Sequence, residues 1–261
     1  MNWLDRALRG ERFIHGPFFG QTFDLSLLAD VLASYGENKV EEWRKLGLEV
    51  HFLPSIRFTR ETNLSGWQVK PGKWYWAIEM GDLLRRNNAG ELQVMSESHL
   101  NGIVALIDVR PRPEFVGIGE QMFQDDRCYL GPILRQLRND RVIEPYERGP
   151  QDSRFGVSSE EWDEHVRFAL ARQLGFEPKQ IRLETVLEAN IIPQLYLGTP
   201  RRTDGHVRTW TLNEEYWLSS NNRVHGGYGH NDYDRLCNVS LGNSQSHWCS
   251  GAIRPLTVLA N

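Results

Sequence analysis

Long apolar runs are missing from this 261-residue sequence. No stretch approaches the roughly 18 apolar residues that a bilayer-spanning helix needs, so no membrane insertion is expected. The start, Met1 to Arg6, has no basic segment followed by an apolar one. That leaves no secretory signal to read and makes the cytoplasm the default compartment. Cysteine is scarce as well. Cys128, Cys237 and Cys249 are an odd set spread far apart, which gives no disulfide framework and suits a reducing compartment. A Cys237–Cys249 bridge would be the exception. Charge of one sign is also lacking: 30 Lys and Arg stand against 34 Asp and Glu, a net charge of −4, and no basic block stands out. A broad phosphate-binding face is excluded on that ground, and nucleic acid with it. The common catalytic signatures are absent too, among them G-x-S-x-G, a P-loop, G-x-G-x-x-G, H-E-x-x-H and C-x-x-C. Gly117-Ile118-Gly119-Glu120 lacks the third glycine. Neither an enzyme nor a cofactor is expected.

What is present is an ordinary soluble composition, 40% apolar and 25% charged, with nine tryptophans and 11% aromatic residues. Phe23 to Tyr35 has apolar residues at helical spacing and meets a stop at Gly36, and Val40 to Leu46 continues helically to Gly47. Glu49 to Phe58 alternates like a strand. The aromatics from Trp67 to Ile78, around Lys70-Pro71-Gly72, read as a hairpin or satellite core rather than a ligand platform. Gly102 to Val109 has the continuous β-branched character of a fully buried strand. Leu130 to Leu137 is a short helix opened by Gly131-Pro132. The clearest helix runs from Ser158 to Leu174, with Ser158 and Glu161 at capping-box spacing and Gly175 closing it. Ala189 to Leu197, Val207 to Leu212 and Ile253 to Leu259 read as strands. Helices first and strands last, without regular alternation, predict an α+β fold.

From Ser219 to Gly251 the composition changes. These 33 positions hold six Ser, five Asn and five Gly, with Tyr and His interspersed and no Lys, Glu or Met. Such a stretch would ordinarily be a disordered linker. Yet Ala252 to Leu259 follows it and reads as a core strand, and long irregular segments inside compact domains are usually functional. The residue menu is that of binding loops: Tyr for contact area, Ser, Gly and Asn for adaptable hydrogen bonding. It is also what freely varying codons ending in a pyrimidine would yield, since these cannot specify Lys, Glu, Gln, Met or Trp. On that logic Gln245 and Trp248 are fixed scaffold.

Several motifs now point the same way. They are Gly66-Trp67-Gln68-Val69-Lys70-Pro71, Lys73-Trp74-Tyr75-Trp76, Ser153 to Ser158, Thr203 to Thr211 followed by Glu214-Glu215-Tyr216-Trp217, Gly226-Gly227, Leu236 to Val239 and Ile253-Arg254-Pro255-Leu256. Over most of its length the chain resembles the variable proteins of diversity-generating retroelements, in the branch found in archaeal and candidate-phylum genomes. The resemblance implies a C-type-lectin-like fold with a mixed or antiparallel sheet, two helices and long C-terminal loops. It implies an N-terminal accessory region over 1–95 packed on a lectin-like domain over 96–261, and a hypervariable region at about 219–251. There a reverse transcriptase would diversify side chains that bind an unknown ligand, a protein or other macromolecule. The implied variable contacts are Tyr228, His230, Asn231, Tyr233, Arg235, Cys237, Ser240, Asn243, Ser244, Ser246, His247, Cys249 and Ser250, with Asn221, Asn222 and His225 as further positions upstream. Ala252 and Ser240 to Asn243 depart from the pattern of the relatives, which questions individual contacts more than the fold.

The rival readings are a zinc-dependent or other enzyme and a structural assembly module. His225, His230, His247, Cys237 and Cys249 are zinc-ligand types, but their spacing has no C-x-x-C or H-x-x-x-H pair, so no metal is expected. Glu144-Pro145-Tyr146 and Glu177-Pro178-Lys179 do not complete the Glu-Pro-Asn or Gln-Pro-Asp triplet of calcium-dependent sugar binding. The adjacent acids Glu160-Glu161, Asp125-Asp126 and Glu214-Glu215 are expected to be solvated or capping, the last pair ordering the scaffold beneath the loops.

Overall fold

The computed structural model describes residues 2–67, 70, 76, 81–87, 89–109, 129–147, 149–196, 210–219, 223–227, 238–241 and 251–261. Helix α1 (Trp3–Phe19) comes before any helix that the periodicity predicts. Asn2 caps it, its side chain accepting from the Asp5 N–H at 2.8 Å, and Gly20 ends it in the left-handed region. Its buried face contains Glu11 and His15 beside Phe18 and Phe19, while Phe13 is exposed. A polar stripe turned inward hides a helix from hydropathy. Helix α2 (Ser26–Lys45) joins the two helical segments read from the sequence, and Gly36, at φ 78° and ψ 163°, breaks the helical backbone between them where the stop was expected.

Strand β1 (Leu48–Phe58) then pairs antiparallel with β4 (Ser98–Asp108) along its whole length, from Leu48 opposite Asp108 to Phe58 opposite Ser98. The final strand β10 (Pro255–Ala260) lies on the other side of β4, and β5 (Ile181–Leu183) completes this first sheet in the order β1-β4-β10-β5. Alternation along β4 explains its apolar run. Val104 and Leu106 enter one core with α2, α3 (Gly131–Asn139) and the helix from Ser159, while Ile103, Ala105 and Ile107 enter the other with α1 and α6 (Val186–Leu195). Trp67 and Trp76 pack in that second core.

The long helical run is built of α4 (Ser159–Glu161), a single π-type turn over Trp162–Val166, and α5 (Arg167–Leu174). Its capping box is formed: Ser158 Oγ accepts from the Glu161 N–H at 3.1 Å, and Glu161 accepts from the Ser158 N–H at 2.8 Å. Glu161 also accepts from the Glu144 N–H, so one of the paired acids is a cap. One expected strand is corrected. Ala189 to Leu197 is mostly helix α6, opened by a capping box between Thr185 and Glu188. An apolar run of that length is ambiguous between buried helix and buried strand, and the cap decides it.

A second sheet has the order β3-β2-β6-β7-β8, with β9 beside β6. Its strands are β2 (Leu83–Arg86), β3 (Leu92–Val94), β6 (Trp210–Trp217), β7 (Arg223–Gly227), β8 (Asn238–Leu241) and β9 (Gly251–Ile253). The α+β class is therefore observed, with helices packed on largely antiparallel sheets. Strands from either side of residue 95 are neighbours in both sheets, β1 with β4 and β2 with β6. Among the described residues no helix is long and apolar enough to cross a membrane.

A buried charge cluster seals the outer edge of β1. Glu11 Oε1 accepts from the Phe52 N–H and from Tyr196 Oη, each at 2.8 Å, and Tyr196 Oη also reaches the Phe52 carbonyl at 3.4 Å. Both outward polar groups of Phe52 are thus occupied by side chains, which closes the edge to further pairing. His51 lies with Nδ1 2.9 Å from Glu11 Oε2 and Nε2 3.2 Å from Glu49 Oε2. Burial opposes a charge on His51, but Glu11 and Glu49 override it and raise its pKa to about 9. Burial likewise opposes ionisation of Glu11, but His51 and His15 outweigh it and hold the carboxyl well below the usual range.

Candidate functional site

The strands that frame the tail meet in one register. Trp210 is opposite Gly227, Gly227 is opposite Asn238, and Trp210 is also opposite Gly251 across the parallel β6–β9 pair. Residues 228–237 therefore leave and rejoin the sheet at adjacent points on one end. β8 ends at Leu241, opposite Val224 at the other end of β7, and β9 begins at Gly251, opposite Trp210, so the flanks of residues 242–250 lie at opposite ends of the sheet. From β8 to β9 the chain moves past β7 and β6, about 14 Å at the usual ~4.8 Å strand spacing. Residue 209 also hands over to Trp210 at the end where Gly227 faces Asn238.

Beneath this sheet lies a network of buried ions. Arg223 opens β7 and is 1% exposed. Its Nη2 donates to Asp163 Oδ1 at 2.6 Å, and its Nη1 donates to the Asn213 carbonyl at 3.0 Å and to Glu214 Oε2 at 3.1 Å. The guanidinium sits 4.6 Å from the centre of the Tyr216 ring, whose hydroxyl donates to Asp163 Oδ2 at 3.1 Å. Burial opposes the charge on Arg223, but Glu214 and Asp163 outweigh it and hold its pKa above the ordinary value. Asp163 lies in the π-type turn of the long helix. That single wider turn ties the helix to the sheet.

Pairing between β6 and β7 is interrupted between Leu212 and Tyr216. In the gap, β6 bonds to the junction of β5 and α6 instead. The Glu214 N–H and Asn213 Nδ2 both donate to the Glu184 carbonyl at 3.1 Å, and Glu214 Oε2 accepts from the Leu183 N–H at 3.1 Å. Glu215 accepts from the Val186 N–H at the start of α6 and from Arg85 Nη2 at 3.0 Å. Burial, opposed by Arg85, pushes its carboxyl up. Glu188 takes both forks of Arg182 at 2.7 Å, so that burial is outweighed and the carboxyl stays low. Glu214 and Glu215 thus order the frame formed by β5, β6, β7 and the start of α6.

Of the expected contacts, His225 in β7 and Ser240 in β8 are described, and they face each other in register. Tyr228, His230, Asn231, Tyr233, Arg235 and Cys237 lie outside the described residues, as do Asn243, Ser244, Ser246, His247, Cys249, Ser250, Asn221 and Asn222. The first group belongs to the connection between Gly227 and Asn238, and the positions from Asn243 to Ser250 to the one between Leu241 and Gly251. Asn221 and Asn222 instead join Trp217 to Arg223 at the end of β6 opposite Trp210, about 23 Å away at ~3.3 Å per residue. Cys128, Cys237 and Cys249 also lie outside the described residues, and with them the exceptional Cys237–Cys249 bridge. Among the described residues, no group of three or more His, Cys, Asp and Glu is arranged to hold a metal.

Sequence reasoning missed Arg223, Asp163, Arg85 and Arg182. Arg223 sits inside a polar run, and only its place directly before the β-branched Val224 hinted at a strand. A cavity of about 680 Å3 between residues 141–147 and 156–165 is lined with carboxylates, of which Glu161 is spent on the helix cap. Comparison with family models, curated proteins and solved structures returns no match.

Proposed function

We propose that this chain is a non-enzymatic ligand-binding protein, a retroelement-diversified variable protein on a C-type-lectin-like scaffold. Its binding surface would be built by residues 228–237 and 242–250, with His225 and Ser240 on the strands between them. The observation that supports this reading is the shared register of Trp210, Gly227 and Asn238, which makes residues 228–237 the connection between two strand ends beside Trp210, the end at which β9 also begins with Gly251. A second feature supports it. The sheet is held from below by Arg223, Asp163, Glu214 and Glu215, whose bonds run to the long helix and to the β5–α6 junction. None of these partners is a diversified position, so the tail can change without loosening its support. The ligand is a protein or other macromolecule, because an array of Tyr, Ser, Asn and His side chains suits broad contact better than a small pocket.

The test is in the coding DNA. Codons for Arg235, Ser240, Ser244, Ser246 and Ser250, whose third base is free to be a purine, should end in a pyrimidine. A near-copy of the segment carrying adenines at those codons should lie close by, with a reverse transcriptase gene. A single locus with no such copy and no such gene defeats the reading.

A further inference from the structure

Helix α1 has an outward face that is both basic and aromatic. Phe13 is 81% exposed, the most of any large apolar side chain among the described residues. A lone exposed apolar residue is ordinary on a protein surface. This one has Arg9 one turn before it and Arg12 beside it, both exposed and neither in an ion pair among the described residues. Arg6, further back, is paired with Glu37 at 3.7 Å, and Asp5 is the one exposed acid of the helix. Arginine and aromatic side chains together are what interfaces favour over plain surface. The opposite charge lies in the cavity of about 680 Å3 between residues 141–147 and 156–165. Its apolar wall is Val142, 41% exposed, with Pro145 and the buried Ile143 and Tyr146. Its rim holds Glu144, Glu147, Glu160 and Glu164, all exposed. His165 lies 4.0 Å from Glu164, and Arg141 is the other cation of the lining. Glu161 is left out of the count, since its oxygens cap backbone N–H groups. Glu144, Glu147 and Glu160 thus stand against Arg141 alone among the described residues. Helix α1 borders α2, α6 and β1, whereas the cavity is walled by the long helix and the chain after α3, so the two surfaces are built from different elements.

We propose that α1 of one copy docks into this cavity on a second copy, with Phe13 against the apolar wall and Arg9 and Arg12 toward the carboxylates of the rim. The contact is heterologous, so each copy keeps one surface open and repeats the contact into a ring or an open chain. Neither surface contains a residue of the diversified strands, so the proposal stands apart from the function given above. The surfaces are small and their charges exposed, which sets a weak affinity, with a Kd on the order of 100 µM at low salt. Sedimentation equilibrium of the full chain, at concentrations bracketing that value, should give a mass that rises with concentration. Raising NaCl from about 50 to about 500 mM should weaken the association severalfold. Two double variants separate the surfaces: Arg9→Glu with Phe13→Ser removes the helix face, and Glu147→Lys with Glu160→Lys removes the cavity rim. Each alone should associate at least about tenfold more weakly than the parent. An equimolar mixture of the two should form one-to-one pairs with near-parental affinity and nothing larger, since one variant supplies only the cavity and the other only the helix. All four positions are exposed, so both variants should keep the fold. If circular dichroism shows that either does not, the single changes Phe13→Ser and Glu160→Lys take their place. The proposal is overturned by a parent chain that stays monomeric up to about 1 mM, whatever other basic partner the cavity takes. It is overturned equally by a folded variant that associates like the parent, or by a mixture that stays monomeric.

Discussion

The two sheets are stabilised by different chemistry. The first is built on one long pair in unbroken register, β1 on β4 from Leu48 to Phe58, with apolar side chains of β4 buried on both faces. The second has strands of three to eight residues, an interrupted register in β6, and buried ions at the centre of its support, whereas the buried ions of the first, Glu11 with His51 and Asp108 with Arg154, sit at the edge and the end of the β1–β4 pair. An apolar core demands matched shapes across the whole of a strand. An ionic frame of a few bonds fixes a short strand at particular atoms and makes no demand on what its far end carries. The first sheet suits stability, the second suits change at its rim.

Removing Arg223 is the strongest way to break this contrast. Arg223→Ala leaves Asp163 and Glu214 facing a cavity without their cation and should cost about 3–5 kcal/mol in urea unfolding. A loss under about 1 kcal/mol would mean that the ions are ornaments and that the second sheet stands by other means. Leu53→Ala in the first sheet, at 0% exposure, should cost about 3 kcal/mol by cavity formation. The two costs should be close to additive, since the residues belong to different clusters.

A pH series sharpens the comparison within the first sheet. His51 has a folded pKa of about 9 against an ordinary 6.5, so its stabilising contribution is complete below about 6.5 and is lost as pH rises through 9. The loss should be about 1–3 kcal/mol between pH 6.5 and 10, with His51→Gln flattening it. Glu11 works in the other direction: its contribution is present above its ordinary 4.5 and lost only as the pH falls far into the acid. The ions under the second sheet should add little slope over this alkaline window, because Arg223 is held charged throughout. The smallest effect belongs to the rim. Ser240→Ala and His225→Ala should shift stability by no more than about 0.5 kcal/mol. Asn221→Ala and Asn222→Ala, which join β6 to β7 at the end away from Trp210, should leave unchanged the affinity of a ligand selected on residues 228–237.

Much of the first sheet and the long helix was legible in the residues themselves. Gly102 to Val109 is apolar throughout because β4 is buried on both faces, and Ser158 with Glu161 marked a helix start that the hydrogen bonds reproduce. Helix α1 was not legible, because it turns Glu11 and His15 inward to cap a strand edge that no local pattern announces. Helix α6 was mistaken for a strand because nine of its ten residues are buried, which removes periodicity, and Thr185 with Glu188 was the signal that could have found it. The tail was set apart by composition alone, and Glu214-Glu215 by position. What composition could not supply was the support. Arg223 and Asp163 are 60 residues apart and meet only because a single π-type turn aims the aspartate at β7.

The central claim is that the frame is held independently of the side chains on its rim. It is tested most directly by urea unfolding of a panel randomised together at Tyr228, His230, Tyr233, Ser244 and His247. The account predicts midpoints clustered within about 1 kcal/mol of the parent protein. A spread of losses reaching about 3 kcal/mol or more, comparable to that of Leu53→Ala, would contradict it.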